Sequence, residues 1–402
     1  MHRLEDYIDI VGKGVIASIY QKASKLYGKH ILHINSTNQG GGVAEMLQSL
    51  VPLMNDAGID AGWRILHGNP DFFSITKEFH NGLQGQPIEL TPAKIEEYLD
   101  TNRNFSIYTH VGHDCVFIHD PQPLPLINYF KKRQPWIWRC HIDLSHPDEP
   151  LWDFLSKQVL KYDKIIISNL KYKKQNCPIE QRVIFPAIDP LSLKNREATR
   201  QEITDTLAKF DIPADKPIIT QVSRFDKWKD PQGVVDVFAM VKEKIDCRLV
   251  LCGSMASDDP EGIVIYESIK EKSKPFLKNR DIILLTVENN MLVNVLQRVS
   301  SVIIQKSLRE GFGLTVTEGL WKGKPVLASN VGGIPLQIVD GENGFLLDAH
   351  DNKGFADRII QILEDPKLSK HVSQRARESV RSNFLITRLL SDYLELLNDV
   401  FR

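Results

Sequence analysis

The sequence predicts an α/β protein of two domains, each built on a sheet with ligand loops at one edge. Three observations carry this expectation. An apolar strand at residues 30–34 runs into Gly40, Gly41 and Gly42 and then into a helical pattern. A second apolar strand, residues 302–304, runs through a polar turn, Gly311 and Gly313 into another helical pattern that holds Glu318. The chain has 402 residues, too many for one ordinary core and suited to two domains of about 200 residues each. In open α/β sheets, small molecules bind just beyond the carboxyl ends of the strands, where glycines allow close approach and free N–H groups of the next helix face an anion.

The first glycine group follows Ser36, Thr37, Asn38 and Gln39, and after it Val43, Met46, Leu47, Leu50, Val51 and Met54 fall on one helical face. This is a nucleotide-fold opening without the G-x-G-x-x-G spacing of a dinucleotide fingerprint. The glycines alone fit a flexible turn as well as a phosphate or sugar loop. Residues 61–66 form a strand candidate. Residues 72–99 are less regular, and their polar content predicts a solvent-facing helical insertion.

Residues 115–118 form a buried strand that ends in His119, Asp120, Pro121, Gln122 and Pro123, a polar turn fixed by two prolines. Residues 136–140 form another, ending in His141, Ile142 and Asp143. Both ends fall on the same sheet edge, and each carries a His and an Asp. Either histidine can be a structural hydrogen-bonder or a reacting group. Strands at 164–168 and 182–185 complete this half, residues 186–190 lead out of it, and residues 191–215, with a helix near 200–210, form the expected hinge.

The second half starts sharply at the strand 217–222, which feeds Arg224, Phe225, Asp226, Lys227, Trp228 and Lys229. Fixed cations just past a strand end suit a diphosphate leaving group, because they neutralise charge as the bond to phosphate breaks; a basic surface loop has the same composition. Strands follow at 248–252, ending in Gly253, and at 282–285. The stretch QKSLREGFGLTVTEGLWKGKPV, residues 305–326, then places Gly311, Phe312, Gly313 and Leu314 at a helix start, with a phosphate as the expected guest. Glu310 and Glu318 flank that turn. They are either a turn cap and an exposed helix acid, or two acceptors for sugar hydroxyls. A strand at 325–328 and glycine turns at 332–335 and 340–346 follow, and Ile386, Leu389, Leu390, Tyr393, Leu397 and Val400 make a helical stripe near the end.

Composition narrows the function. The formal net charge is -1, which gives no reason to expect nucleic acid. The five cysteines, Cys115, Cys140, Cys177, Cys247 and Cys252, form no C-x-x-C pair, and three lie in apolar strand-like runs, as in a reducing compartment. Residues 1–14 mix acids and bases and do not read as a secretory signal, and no segment reaches the roughly 20 apolar residues of a membrane span. A soluble cytoplasmic protein without integral membrane association is expected. The basic clusters Lys131, Lys132, Arg133 and Lys171, Lys173, Lys174 read as solvated faces. Asp258 and Asp259 lack the D-x-D spacing of a paired-carboxylate metal site, and Arg224 and Lys229 can supply the electrostatic work of a metal, so neither a metal nor another cofactor is expected.

REGFGLTVTEGLWKGKPV, residues 309–326, resembles the E-x7-E signature of the retaining glycosyltransferases of family 4. The resemblance implies the GT-B fold: two Rossmann-like domains facing across a cleft, the first comprising residues 1–190 completed by a last helix at 384–402, the second residues 191–383. It places Glu310 at the donor sugar and Glu318 at the nucleotide ribose. The Arg and Lys that clasp the donor diphosphate in that family match Arg224 and Lys229, and the strand-end His that contacts the donor sugar near the reacting carbon matches His141. Gly41 and Gly42 match the loop over donor phosphates and acceptor sugar, and Gly253 a turn at the nucleotide base. Asp120, Gln122 and Asp143 are expected on the acceptor side, because an acceptor sugar needs several carboxylate or amide partners to orient it.

STNQGGGVAEML, HDPQP, PWIWRCHIDLS, KPIITQVSRFDKWKD and MASDDPEG extend the likeness over most of the chain, toward the trehalose glycosyltransferring synthases within that family. These join the glucose of a nucleotide-glucose, UDP- or ADP-glucose, to free glucose in an α,α-1,1 linkage. Residues 72–104 and 170–182 carry no such likeness. A family member that builds a polysaccharide or lipid-linked glycan, a trehalose phosphorylase-type enzyme and a nucleotide-sugar epimerase share parts of this pattern. The expected partners are thus a nucleotide-sugar donor and a small sugar acceptor, and exposed helices of the first domain are compatible with a homodimer.

Overall fold

The computed structural model describes residues 2–38, 41–253 and 260–402. The chain forms two compact units, Met1–Ala187 with Ile386–Arg402, and Ile188–Leu385. Each is organised around one wholly parallel six-stranded sheet with helices between successive strands.

In the first unit the strands are β1 (His30–Asn35), β2 (Asp60–Ile65), β3 (Cys115–His119), β4 (Trp136–Arg139), β5 (Lys164–Ile167) and β6 (Glu180–Val183), in spatial order β2-β1-β3-β4-β5-β6. The central strands read as continuous apolar runs because helices cover both faces, the condition under which parallel sheets are stable. The order reverses between β1 and β3, and their carboxyl ends are therefore where a ligand crevice opens.

The second unit holds β7 (Ile218–Val222), β8 (Arg248–Cys252), β9 (Ile282–Leu285), β10 (Val302–Gln305), β11 (Val326–Ser329) and β12 (Phe345–Leu347), in the order β12-β11-β10-β7-β8-β9. Numbered from its own first strand, that is the dinucleotide-fold order, with the switch point between β7 and β10. Those are the two strands that feed Arg224 and Glu310.

Helix starts follow a repeated local rule. Asn69, Thr91, Asp230 and Asp365 each offer a side-chain oxygen to a free N–H of the helix that begins at the following proline. The cap satisfies a donor the helix cannot, and proline at the first helical position sacrifices no hydrogen bond.

Residues 72–99 differ from the expected solvent-facing insertion. They lie in two helices, Pro70–Leu83 and Pro92–Tyr108, whose inner faces put Phe72, Phe79, Leu83, Tyr98 and Phe105 into the core of the first unit. The burying face is aromatic and spaced at about a turn or two, so the polar residues between dominate the sequence pattern. Tyr98 donates its hydroxyl to the carbonyl of Pro121 at 2.5 Å, and Asn102 donates its amide to the carbonyl of Gln122 at 3.0 Å. The second helix thereby fixes the turn after β3.

The helix Ile386–Val400 belongs to the first unit and packs on the helices Lys13–Ser24 and Gly42–Asp56. Leu389, Leu390, Tyr393, Leu394 and Leu397 are buried, as its apolar stripe requires. Lys22 Nζ donates to Ser391 Oγ at 2.7 Å, and Asn398 donates to the carbonyl of Lys22 at 3.0 Å. All five cysteines are free thiols, four of them buried. Among the described residues, no helix is long and apolar enough to cross a membrane.

Candidate active site

In the second unit, the loop after β7 carries Arg224 and Lys229. Asp226 accepts from the backbone N–H of Trp228 at 2.8 Å and starts the short 3-10 turn Lys227–Lys229. Gln221 at the strand end donates to the carbonyl of Lys229 at 2.8 Å. Asp230, in the left-handed conformation (φ 46°), caps the next helix and takes a charge-assisted bond from the buried Lys306 at the end of β10. Two strand-end loops are thus tied together by charge, and Arg309 lies over the ring of Trp228 at 4.7 Å.

Lys229 Nζ donates to Glu310 Oε2 at 2.5 Å, with both side chains largely withdrawn from water. Arg224 differs: its side chain is 47% exposed and, among the described residues, meets Asp226 alone, at 3.8 Å. One cation is therefore held against the candidate sugar carboxylate, while the other is half-exposed.

Gly313 sits at φ 86°, a conformation that L side chains rarely adopt, and opens the helix Leu314–Trp321. The turn before it is fixed from behind. Gln337 donates to the carbonyl of Phe312 at 2.5 Å and accepts from Thr317 Oγ1 at 2.5 Å. The ring of Phe312 is buried against Phe384, with centroids 5.8 Å apart, so this residue faces the core. Gly253 is explained by packing: a Cβ there would stand 2.0 Å from the carbonyl oxygen of Ser223.

Glu318 is no exposed helix acid; it is 2% exposed. Gln297 donates to its Oε2 at 2.9 Å, and Lys194 Nζ lies 3.6 Å from its Oε1. Behind Gln297, the buried Lys322 donates to Gln297 Oε1 at 2.7 Å and to Asn195 Oδ1 at 3.0 Å. While Lys322 is protonated it can only donate, and it then turns the amide oxygen of Gln297 toward itself and the NH2 toward Glu318. Burial pushes the Lys322 ammonium down to about 7, against the pull of Glu318. Lys194, Gln297, Lys322 and Gln337 carry no motif, and the sequence alone does not single them out.

In the first unit, Gly41 and Gly42 begin the helix Gly42–Asp56, and a Cβ on Gly41 would meet nothing within 4 Å. Among the described residues, no neighbour demands glycine at 41. Gln39 and Gly40 of the same loop lie outside the described residues, as do Ser254, Met255 and the acid pair Asp258 and Asp259.

Asp120 occupies the left-handed region (φ 61°), held by its own N–H to the carbonyl of Arg139 at 2.8 Å and by Trp138 Nε1 to its carbonyl at 3.0 Å. Its carboxylate accepts the backbone N–H of His141 at 2.7 Å, and burial raises its carboxyl to about 7. Asp143 turns back on its own chain, accepting from Ser145 N at 2.8 Å and Ser145 Oγ at 2.6 Å. Gln122 is half-buried beside Asp120, in the turn that Asn102 fixes.

His141 is the end of a row. His33 Nδ1 lies 3.0 Å from His119 Nε2, and His119 Nδ1 lies 3.1 Å from His141 Nε2. Burial lowers all three, His33 to about 3, and the nearby Arg139 guanidinium adds to the effect on His119 and His141. The three rings are neutral at pH 7. His33 sits inside the apolar strand β1, where only its spacing from the strand end marks it.

Over 408 aligned residues the chain is 46% identical to the trehalose synthase of Pyrococcus horikoshii, a match that covers 99% of this chain and 96% of the relative. The chain belongs to the trehalose synthase family. Another trehalose synthase, of Rubrobacter xylanophilus, is 42% identical over 98% of this chain and 96% of its own length. Residues 33–174 match the family described as trehalose synthase, N-terminal domain, and residues 202–379 match glycosyl transferases group 1. The trehalose synthase N-terminal match thus takes in the histidine row, Asp120, Gln122 and Asp143. The group 1 match takes in Arg224, Lys229, Glu310 and Glu318. The structure of sucrose-phosphate synthase from Thermosynechococcus elongatus superposes with a TM-score of 0.73 at 18% identity, over 93% of this chain and 99% of that one. The fold of this trehalose synthase family member is the α/β GT-B fold of glycosyltransferases.

Proposed function

We propose that the protein is a retaining glycosyltransferase that moves glucose from UDP- or ADP-glucose to free glucose, giving trehalose. The observation that carries this reading is the ion pair of Lys229 and Glu310 at the switch point between β7 and β10, beside the Gly311–Gly313 turn. It gathers, at one strand edge, a cation for a diphosphate, a carboxylate for sugar hydroxyls and free helix N–H groups.

In this reading the Lys229–Glu310 pair keeps both charges compensated until donor arrives. Donor binding then separates them: Lys229 turns to the diphosphate with Arg224, and Glu310 accepts from the glucose hydroxyls. Glu318, aimed by Gln297, accepts from the ribose hydroxyls, and Gly253 lies at the base. Gly41 and Gly42 leave room beside the phosphates. The first unit supplies His141 as a sugar contact and Asp120, Gln122 and Asp143 as the acceptor side.

Glu310 and Glu318 lie on one loop-helix unit, so they suit two parts of one donor better than the two faces of a glycosidic bond that a hydrolase needs. Transfer is front-face. The acceptor hydroxyl oxygen bonds to the anomeric carbon as the bond to phosphate breaks, and its proton passes to a departing phosphate oxygen. Arg224 and Lys229 stabilise the charge that develops on the diphosphate, and the remaining residues position the sugars.

The test is release of nucleotide from UDP-glucose and ADP-glucose with and without glucose, followed by NMR of the product. Glucose-dependent release with an α,α-1,1-linked disaccharide is expected. Donor binding without glucose-dependent turnover would reject the acceptor. Trehalose cleavage by inorganic phosphate without nucleotide would replace the reading with a phosphorylase.

A further inference from the structure

Hydrogen bonds between His33 and His119 and between His119 and His141 join three neutral rings, and this couples their tautomers. A neutral imidazole carries one N–H and one bare nitrogen. The row therefore has two consistent states. In one, His33 Nδ1–H donates to His119 and His119 Nδ1–H donates to His141. In the other, every ring proton sits on Nε2 and both bonds reverse.

The far end distinguishes the two states. His33 Nε2 is buried and has no hydrogen-bond partner among the described residues. Its ring is stacked on Phe117, with centroids 4.8 Å apart, and flanked by the ring of Tyr393. The reversed state would bury an N–H there with no acceptor, whereas the first state leaves only a lone pair. Orphaned buried N–H groups are the rarer defect in folded proteins. The first state also leaves His141 with its proton on Nδ1, the nitrogen that has no protein partner among the described residues.

We propose that His33 and His119 are positioning residues that hold His141 in its Nδ1–H tautomer, so that His141 offers an N–H donor to a sugar oxygen of the substrate. The proposal rests on the reading of His141 as a sugar contact. A ring hydrogen-bonded through one nitrogen has both its tautomer and its plane set by that bond. The rings of His119 and His141 are stacked at 15°, which fixes the plane as well. Burial above all, and then the Arg139 guanidinium at the end of β4, disfavour a further proton on either ring, so the row stays neutral and its polarity is preserved.

The full chain labelled with 15N in its histidine rings, read by two-bond 1H–15N correlation, tests the polarity before any substitution. Nδ1–H signals for His33, His119 and His141 are expected; a wild-type His141 in the Nε2–H or imidazolium form overturns the proposal. His33→Met still packs on Phe117 but replaces the donor with a thioether sulfur that can only accept, so His119 must donate from Nε2 and accept at Nδ1. The His141 signals should then shift toward the Nε2–H tautomer, and kcat for glucose transfer should fall about tenfold with donor KM changed by less than about twofold. His33→Asn, whose amide N–H stands near the position of Nδ1, should keep the wild-type signals and most of kcat. Unchanged His141 signals in His33→Met, or loss of the Nδ1–H signal in His33→Asn, would overturn the coupling. If no transfer to glucose is seen in the wild type, the proposed function fails on its own account, and the ring spectra still decide the tautomer.

Discussion

Lys229 and Glu310 meet at 2.5 Å although 81 residues of sequence separate them, and the bond joins the loop after β7 to the loop after β10. Each side chain is held by the other with little water nearby. Removing one leaves a poorly solvated charge. Lys229→Met is expected to lower stability on the order of 2–3 kcal/mol, somewhat below the range for fully enclosed pairs because both groups keep some exposure. The double variant Lys229→Met/Glu310→Gln should regain most of that stability and none of the activity. Urea unfolding and transferase assays on the three proteins check this, and recovery of activity in the double variant would remove both residues from the reaction.

Among the described residues Arg224 makes a single 3.8 Å contact, and it is half in solvent, so little of the fold depends on it. Arg224→Ala should leave stability within about 0.5 kcal/mol of wild type. If it neutralises charge on the leaving diphosphate, kcat falls more than donor affinity. Equal losses in steady-state kcat and in donor binding by calorimetry would argue for ground-state binding instead.

Glu318 is aimed by Gln297 and faced by Lys194. Glu318→Ala should weaken nucleotide-glucose binding on the order of tenfold to a hundredfold, the worth of hydrogen bonds to a charged group, with the fold intact by circular dichroism. Calorimetry showing unchanged donor affinity would sink the ribose assignment.

Lys322 gives a pH signature. Its folded value is about 7, while an unfolded lysine keeps its proton to about pH 10. Between these values the unfolded chain binds more protons than the folded one, so this group's contribution to stability rises with pH; below pH 7 both states are protonated and the dependence disappears. The stability of wild type minus that of Lys322→Met should therefore climb from pH 7 to 9.5, with a slope approaching about 1.4 kcal/mol per pH unit. Urea unfolding at several pH values measures it, and a flat difference would mean that Lys322 stays charged.

What was legible in the sequence follows from how each feature is encoded. β3, β8 and β10 are buried on both faces, so each appears as a continuous apolar run that ends within a residue or so of the strand, and β1 is the same but for His33. Glu310 and Gly313 announce themselves because the turn packs its chemistry into a few consecutive residues. The partners of Glu318, Lys194 and Gln297, come from distant places in the chain, and only the fold brings them to it; Lys322, one helical turn after Glu318, holds Gln297 from behind. Pro70–Leu83 and Pro92–Tyr108 were hidden for another reason: a few large aromatics bury the inner face while most positions remain polar. Gly253 could be seen as a turn glycine but not as one required by the Ser223 carbonyl. His33 looked like a strand residue, and its alignment with His119 depends on the register of β1 against β3.

The helix Ile386–Val400 closes the first unit from the far side of the sequence. During synthesis the whole of the second unit leaves the ribosome before that helix does. For that interval the seats of Leu389, Leu390, Tyr393 and Leu397 against Lys13–Ser24 and Gly42–Asp56 stand uncovered, and apolar surface of that kind is what chaperones recognise and what aggregates. The second unit is therefore synthesised while the first is still unfinished, and the ring of Tyr393 reaches His33 only after residues 188–385 have been made.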